Sequence, residues 1–170
     1  RFCQFIKKLY PKSKIYCIEP SLNAYRNLEK KFKENKNIKN FNIALSNKNH
    51  NKFFYEYNKS YANSFNVIKP NGFYKNNNIF IKKKIKIKAI KLDLFCKINR
   101  IKYVDILKID CQNYSFEILK GASNILKKTK FLQIEINFDN IYNKSDNIFG
   151  IFEIMKKNNF KLIGIVNPDT

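Results

Sequence analysis

Short apolar runs that end on a polar or acidic residue alternate with amphipathic stretches along this chain, and that alternation limits the folds open to it. Lys14-Ile15-Tyr16-Cys17-Ile18 ends on Glu19, Phe41 to Leu45 ends on Ser46, Val104 to Ile109 ends on Asp110, and Phe131 to Ile136 carries Glu135 near its carboxyl end. Runs this short, rich in Ile, Val and Phe, read as buried strands. Between them lie helical patterns. Phe2, Phe5, Ile6 and Leu9 recur at helical spacing and stop before Pro11. Ser21 is placed to cap a helix through about Glu34, with Leu22, Tyr25, Leu28 and Phe32 on one face. Ser115 to Lys127 and Phe149 to Lys157 are expected to be helical, and Phe160 to Val166 a final strand. Alternating strands and helices of this kind predict an α/β fold, a doubly wound and mostly parallel sheet with helices on both faces. The whole of residues 1–170 reads as one domain.

The middle of the chain is less regular. Asn35 to Asn40 reads as a polar turn, Lys52 to Tyr57 alternates like an exposed strand, and Ile79 to Leu92 alternates Ile with Lys. Asn58 to Asn78 is polar, carries a Pro70–Gly72 turn signal, and is expected to be a long loop or lid. The lysines of 79–92 are expected to form a solvated face.

Sixteen Phe and ten Tyr supply enough side-chain volume for a core, so disorder is excluded despite a net charge of +21. The basic surplus is almost all Lys; the arginines are Arg1, Arg26 and Arg100. Together with abundant Asn, Ile, Phe and Tyr, it has the cast of AT-rich coding DNA. Nucleic-acid readers rely on the bidentate arginine fork, so a nucleic-acid partner is disfavoured. Cys3, Cys17, Cys96 and Cys111 lack metal-ligand spacing, and His50 is the only histidine, so no zinc site is expected. Cys17 and Cys111 read as buried small hydrophobes, and the absence of a disulfide framework suits a reducing, cytoplasmic location. No apolar stretch is long enough to span a bilayer.

In an open parallel sheet, ligands bind beyond the carboxyl ends of the strands. The candidates there are Glu19, Ser46, Asp110 with Gln112, and Glu135; Asp139 is weaker. A carboxylate in the position of Glu19 either binds two ribose hydroxyls or serves as a charge at a helix amino terminus. Asp110 ends a strongly apolar strand, at a mouth. No nucleophile–base pair can be argued from the sequence, and no phosphate-cradling glycine loop is present.

In order and spacing these pieces resemble a known family. Ile18-Glu19-Pro20, Ile43-Ala44-Leu45-Ser46, Lys91-Leu92-Asp93, Lys108-Ile109-Asp110, Glu117-Ile118-Leu119-Lys120-Gly121-Ala122 and Ile134-Glu135 are similar to the motifs of FkbM-type S-adenosylmethionine-dependent methyltransferases, over about residues 2 to 138. The resemblance implies a Rossmann-like fold and transfer of a methyl group to a hydroxyl of a sugar or other small acceptor. It implies that Glu19 and Pro20 hold the ribose of S-adenosylmethionine, that Ala44, Leu45 and Ser46 lie near the adenine, and that Asp110 stands at the transfer mouth as both cofactor-binding and catalytic residue. It also implies a first strand and glycine loop ahead of residue 1, so this chain is expected to be a fragment lacking both. Two positions depart from the pattern. Asn113 stands where a glycine is usual, and Asn tolerates left-handed backbone. Ser115 replaces a carboxylate and is expected to cap the helix. Two other readings stay open: a catalytically degenerate binding module, motivated by Ser115 and the absent loop, and a basic RNA-binding or RNA-modifying protein, motivated by the charge.

Overall fold

The computed structural model describes residues 2–69, 78–138 and 141–166. The Pro70–Gly72 turn signal and Asp139 lie outside the described residues. The elements run α1 (Phe2–Leu9), β1 (Ile15–Ile18), α2 (Leu22–Phe32), β2 (Ile38–Phe41), β3 (Ala44–Leu45), β4 (His50–Tyr57), β5 (Ile81–Ile90), α3 (Leu92–Ile98), β6 (Val104–Ile109), α4 (Ser115–Lys120), β7 (Thr129–Ile134) and α5 (Ile148–Lys157). The fold is mixed α/β with parallel pairing, as the alternation requires.

The pairing falls into three ladders rather than one sheet. β1 pairs parallel with β2, β6 pairs parallel with β7, and β5 lies between β3 (parallel) and β4 (antiparallel). Among the described residues no ladder joins β1 to β6, so the doubly wound order is not established. Helix α1 touches both strands: Cys3 Sγ lies 3.4 Å from Cys17 Sγ of β1, and Lys108 Nζ of β6 lies 5.2 Å from the Phe2 ring centroid.

One core holds these ladders together. Phe54, Phe65, Ala89, Phe95, Ile109, Leu119, Leu126 and Ile151 are buried within it. Phe95 meets Tyr16 and Phe41 edge-on, with ring centroids 6.3 and 4.9 Å away, a favoured aromatic geometry. Tyr57, Ala62, Ile68 and Tyr142 form a second cluster under the β4–β5 excursion.

Several expectations need correction. The strand expected at 41–45 is two strands, β2 and β3, and the second half of the expected 35–40 turn belongs to β2. The side-chain amide of Asn42 marks the break, donating to the carbonyls of Glu19 and Pro20 at 2.9 and 3.0 Å. The 79–92 run holds one strand, β5, with a register shift against β4 near its start, and two residues past its end Leu92 opens helix α3, which the alternation hid. The 115–127 helix stops at Lys120. Gly121 caps it, its N–H bonded to the Ile118 carbonyl, and a separate 3₁₀ turn follows at Leu126–Lys128. Residues 160–166 are not a strand; Leu162, Ile163, Ile165 and Val166 are exposed, and none of them joins a ladder. Cys111 lies in the turn after β6, half-buried.

The described part of the 58–78 segment is packed rather than free. It contains a 3₁₀ turn at Ser60–Ala62, and Ser64, Phe65, Asn66 and Ile68 are buried. Among the described residues no helix is long and apolar enough to cross a membrane.

Candidate functional site

Parallel register brings two carboxylates together. Ile109 pairs with Ile134 at the last rung of the β6–β7 ladder, so Asp110 and Glu135 leave adjacent strand ends side by side. The backbone fixes the pair further, because the Glu135 N–H donates to the Ile109 carbonyl at 2.9 Å. Gln112 reaches across from the following turn, and its side-chain amide nitrogen lies 3.1 Å from each Glu135 oxygen. Asp110 is more open, its side chain 49% exposed, and it pairs with Lys108 at 3.1 Å. Burial pushes the Glu135 carboxyl up to about 7, helped by hydrogen bonding to Asp110 and by its charge, and opposed by the Gln112 donors.

The turn that carries Gln112 is braced from outside. Gln112 and Asn113 both have positive φ, 50° and 62°. That conformation strains most side chains, and Asn at 113 is among the residues that tolerate it. Ser64 Oγ donates to the Gln112 carbonyl at 2.8 Å, and the Asn66 side-chain amide donates to the Asn113 carbonyl at 2.7 Å. The Asn113 amide is itself buried, and neither of its side-chain polar atoms has a partner among the described residues. Ser64 and Asn66 went unnoticed in the sequence, because nothing local marks a loop residue as a brace for a turn 48 positions away.

Ser115 does not cap helix α4 with its side chain. Asp146 performs that task from another loop, accepting from the Ser115 and Phe116 N–H groups at 2.9 and 3.0 Å. A carboxylate thus meets the helix amino terminus after all, supplied from outside the motif. The Ser115 hydroxyl instead reaches the Glu135 carbonyl at 3.3 Å.

Glu19 stands one residue past the end of β1, its N–H bonded to the Phe41 carbonyl at 3.0 Å. One of its carboxylate oxygens accepts from the Ser21 N–H at 2.8 Å. The Ser21 hydroxyl donates to Glu56 of β4, so Ser21 bridges two carboxylates. Burial raises the Glu19 carboxyl above its ordinary range against the Ser21 N–H, and the Glu56 charge adds to the rise. Pro20 follows it, half-buried, its carbonyl held by Asn42.

Ala44 and Ser46 are sealed in the core, and Leu45 is half-buried between them. The Ser46 hydroxyl lies 3.0 Å from the Tyr114 hydroxyl, which also accepts from Lys52 Nζ at 2.9 Å. Ser46 is therefore tied to the segment that follows Asp110. Glu19 is tied to β4 instead, and among the described residues no hydrogen bond or ion pair joins it to Asp110. No group of three or more His, Cys, Asp or Glu side chains among the described residues could hold a metal ion.

A carboxylate at the end of β1 with hydrogen-bonding capacity beyond its Ser21 contact fits a ribose diol. Paired carboxylates at a strand mouth fit the handling of a hydroxyl proton. The model of the methyltransferase FkbM domain matches residues 1–162. No curated protein and no solved structure matches the chain.

Proposed function

The chain belongs to the FkbM methyltransferase family, and from that premise we propose that it serves S-adenosylmethionine-dependent methylation of a hydroxyl on a sugar or similar small acceptor. The observation that carries this reading is the Asp110–Glu135 pair, two carboxylates set side by side at the open ends of parallel strands. Glu19, with Pro20, would hold the cofactor's ribose, with Ala44, Leu45 and Ser46 forming the wall near its base. Bound there, the cofactor supplies a methyl group on a sulfonium, open to displacement by a hydroxyl oxygen.

The chain's own part is placement and proton handling. Asp110, exposed at the mouth, orients the acceptor hydroxyl and shares its proton with Glu135. A carboxyl poised near 7 takes a proton at neutral pH and releases it again, which is the match a general base needs. Gln112 fixes the two Glu135 oxygens, so the proton acceptor does not rotate away between turnovers. Correct placement of the hydroxyl accounts for a large share of the barrier in reactions of this type.

The test uses the full-length protein with S-adenosylmethionine and a panel of sugar hydroxyl acceptors, following S-adenosylhomocysteine release. Asp110→Ala is expected to lower turnover at least a hundredfold while leaving cofactor affinity within a few fold. Glu19→Ala is expected to weaken cofactor binding. Cofactor affinity unchanged by Glu19→Ala, or turnover unchanged by Asp110→Ala, would overturn the assignment.

A further inference from the structure

Strand β5 shows a basic face that the site does not use. Lys84, Lys86 and Lys88 are all exposed and, at period two, lie on one side of the strand, whereas Lys82 falls at the register shift between the Glu56 and Tyr57 rungs and has no partner across the ladder. Ile85, Ile87 and Ala89 point the other way, toward the core. The outward residues of β4 complete the surface. Asn51 pairs with Lys88, Phe53 with Lys86 and Tyr55 with Lys84. Lys84 Nζ lies 4.2 Å from the Phe53 ring centroid and 5.8 Å from that of Tyr55; Phe53 is still 48% exposed, while Tyr55 is half-buried against the second cluster. The one acid on either strand, Glu56, is engaged by Ser21. Among the described residues none of these three lysines forms an ion pair.

Three uncompensated charges in a row repel one another, and the ladder keeps them in line. Successive lysines on one face are spaced by about 6.7 Å, roughly twice the rise per nucleotide of a stacked strand. We propose that the Lys84–Lys88 face of β5, with Phe53 and Tyr55 of β4, binds a single-stranded nucleic acid along its phosphate backbone. A lysine row interleaved with aromatic rings combines the two elements such surfaces use, point charges for phosphates and π-faces for bases. Arginine forks are needed to read base edges, and their scarcity here makes the binding tolerant of sequence rather than absent. An acidic peptide would satisfy the charges but would leave the rings unused. The inference does not depend on methyl transfer.

The test measures fluorescence anisotropy of a labelled twelve-nucleotide oligouridylate with the full-length protein between 50 and 200 mM NaCl. Three phosphate contacts give a log–log salt slope of about −2, so affinity falls about twentyfold over that range. Lys84→Gln with Lys86→Gln should make the slope shallower by about 1.4. The charge-matched pair Lys33→Gln with Lys36→Gln, at the exposed end of α2, should leave the slope unchanged. Phe53→Ala should weaken binding about tenfold with no change of slope. No binding at 50 mM, equal losses in the two charge-matched pairs, or equal affinity for an oligoglutamate of the same length would each overturn the proposal. All five substituted side chains are on the surface, and circular dichroism verifies that each variant is folded.

Discussion

Gln112 donates from one side-chain amide toward both carboxylate oxygens of Glu135, at 3.1 Å each, from a turn whose backbone is left-handed. These donors favour the charged carboxylate, yet burial and Asp110 outweigh them, and Glu135 stands at about 7 against an ordinary value of 4.5. Between those two pH values the folded chain keeps a proton that the unfolded chain has released. The stabilisation is therefore complete below pH 4.5 and is lost as pH rises toward 7. Glu135→Gln is expected to flatten this stretch of the stability curve. At pH 8 it should raise stability relative to the parent by about 1–2 kcal/mol, a figure discounted for the group's partial exposure. Urea denaturation of both proteins at several pH values checks it, and parallel curves would reject it.

Asn113 occupies a left-handed position, and its buried amide has no partner among the described residues. Glycine removes both costs, and the brace from Asn66 to the residue 113 carbonyl survives the change. Asn113→Gly is expected to stabilise the fold by about 1 kcal/mol. A loss of stability in denaturant would show that the amide is engaged.

Gly121 ends helix α4 against the backbone of Ser46. A Cβ there would lie 2.2 Å from the Ser46 carbonyl oxygen, a backbone atom that cannot swing aside. Gly121→Ala should therefore cost about 3 kcal/mol, through displacement of Ser46 and of the β3 end it follows. Thermal melts of the two proteins provide the comparison, and a shift of less than a degree would contradict the close approach.

Local pattern made the strand ends legible, and long-range contacts did not show. Ile18-Glu19 and Ile109-Asp110 were readable because a buried run that stops on an acid has few explanations. Helix α3 was missed because Leu92-Asp93-Leu94 continues the alternation of β5 while its hydrogen bonds are already helical. Phe160 to Val166 has the composition of a strand, but a strand also needs a neighbour, and composition does not say whether one exists. The site was half visible. Asp110 and Glu135 were evident as strand ends, whereas their adjacency depends on register, and Asp146 reaches the α4 amino terminus from 31 residues beyond Ser115.

Asp93 shows a motif residue acting structurally. Its carboxylate accepts from the Asn124 N–H at 2.9 Å, from the Ile125 N–H at 2.9 Å and from the Ser123 hydroxyl at 3.1 Å, fixing the turn after α4. Asp93→Ala is expected to destabilise the fold by about 2 kcal/mol, the worth of charge-assisted bonds on a partly exposed group. Affinity for S-adenosylmethionine should stay within twofold of the parent when measured by calorimetry under folding conditions. A selective loss of cofactor binding would move Asp93 into the site.

Cys3 of α1 and Cys17 of β1 hold their sulfurs 3.4 Å apart, which is contact distance but not a bond. The hydrogen bond with Cys17 lowers the Cys3 thiol below its ordinary range, beside the buried Cys17 thiol. Hydrogen peroxide should therefore convert the pair to a disulfide, each equivalent taking two electrons and two protons from the thiols and leaving as two waters. The cross-link closes a short loop and should stabilise the oxidised chain by about 3 kcal/mol, provided the sulfurs close to about 2.05 Å without strain. Thiol titration before and after peroxide, with Cys17→Ser as control, reads the outcome directly. Loss of two thiols in the parent, with higher oxidation of Cys3 alone in the control, is expected. Retention of both thiols in the parent would mean that α1 and β1 do not keep the spacing that brings these sulfurs together.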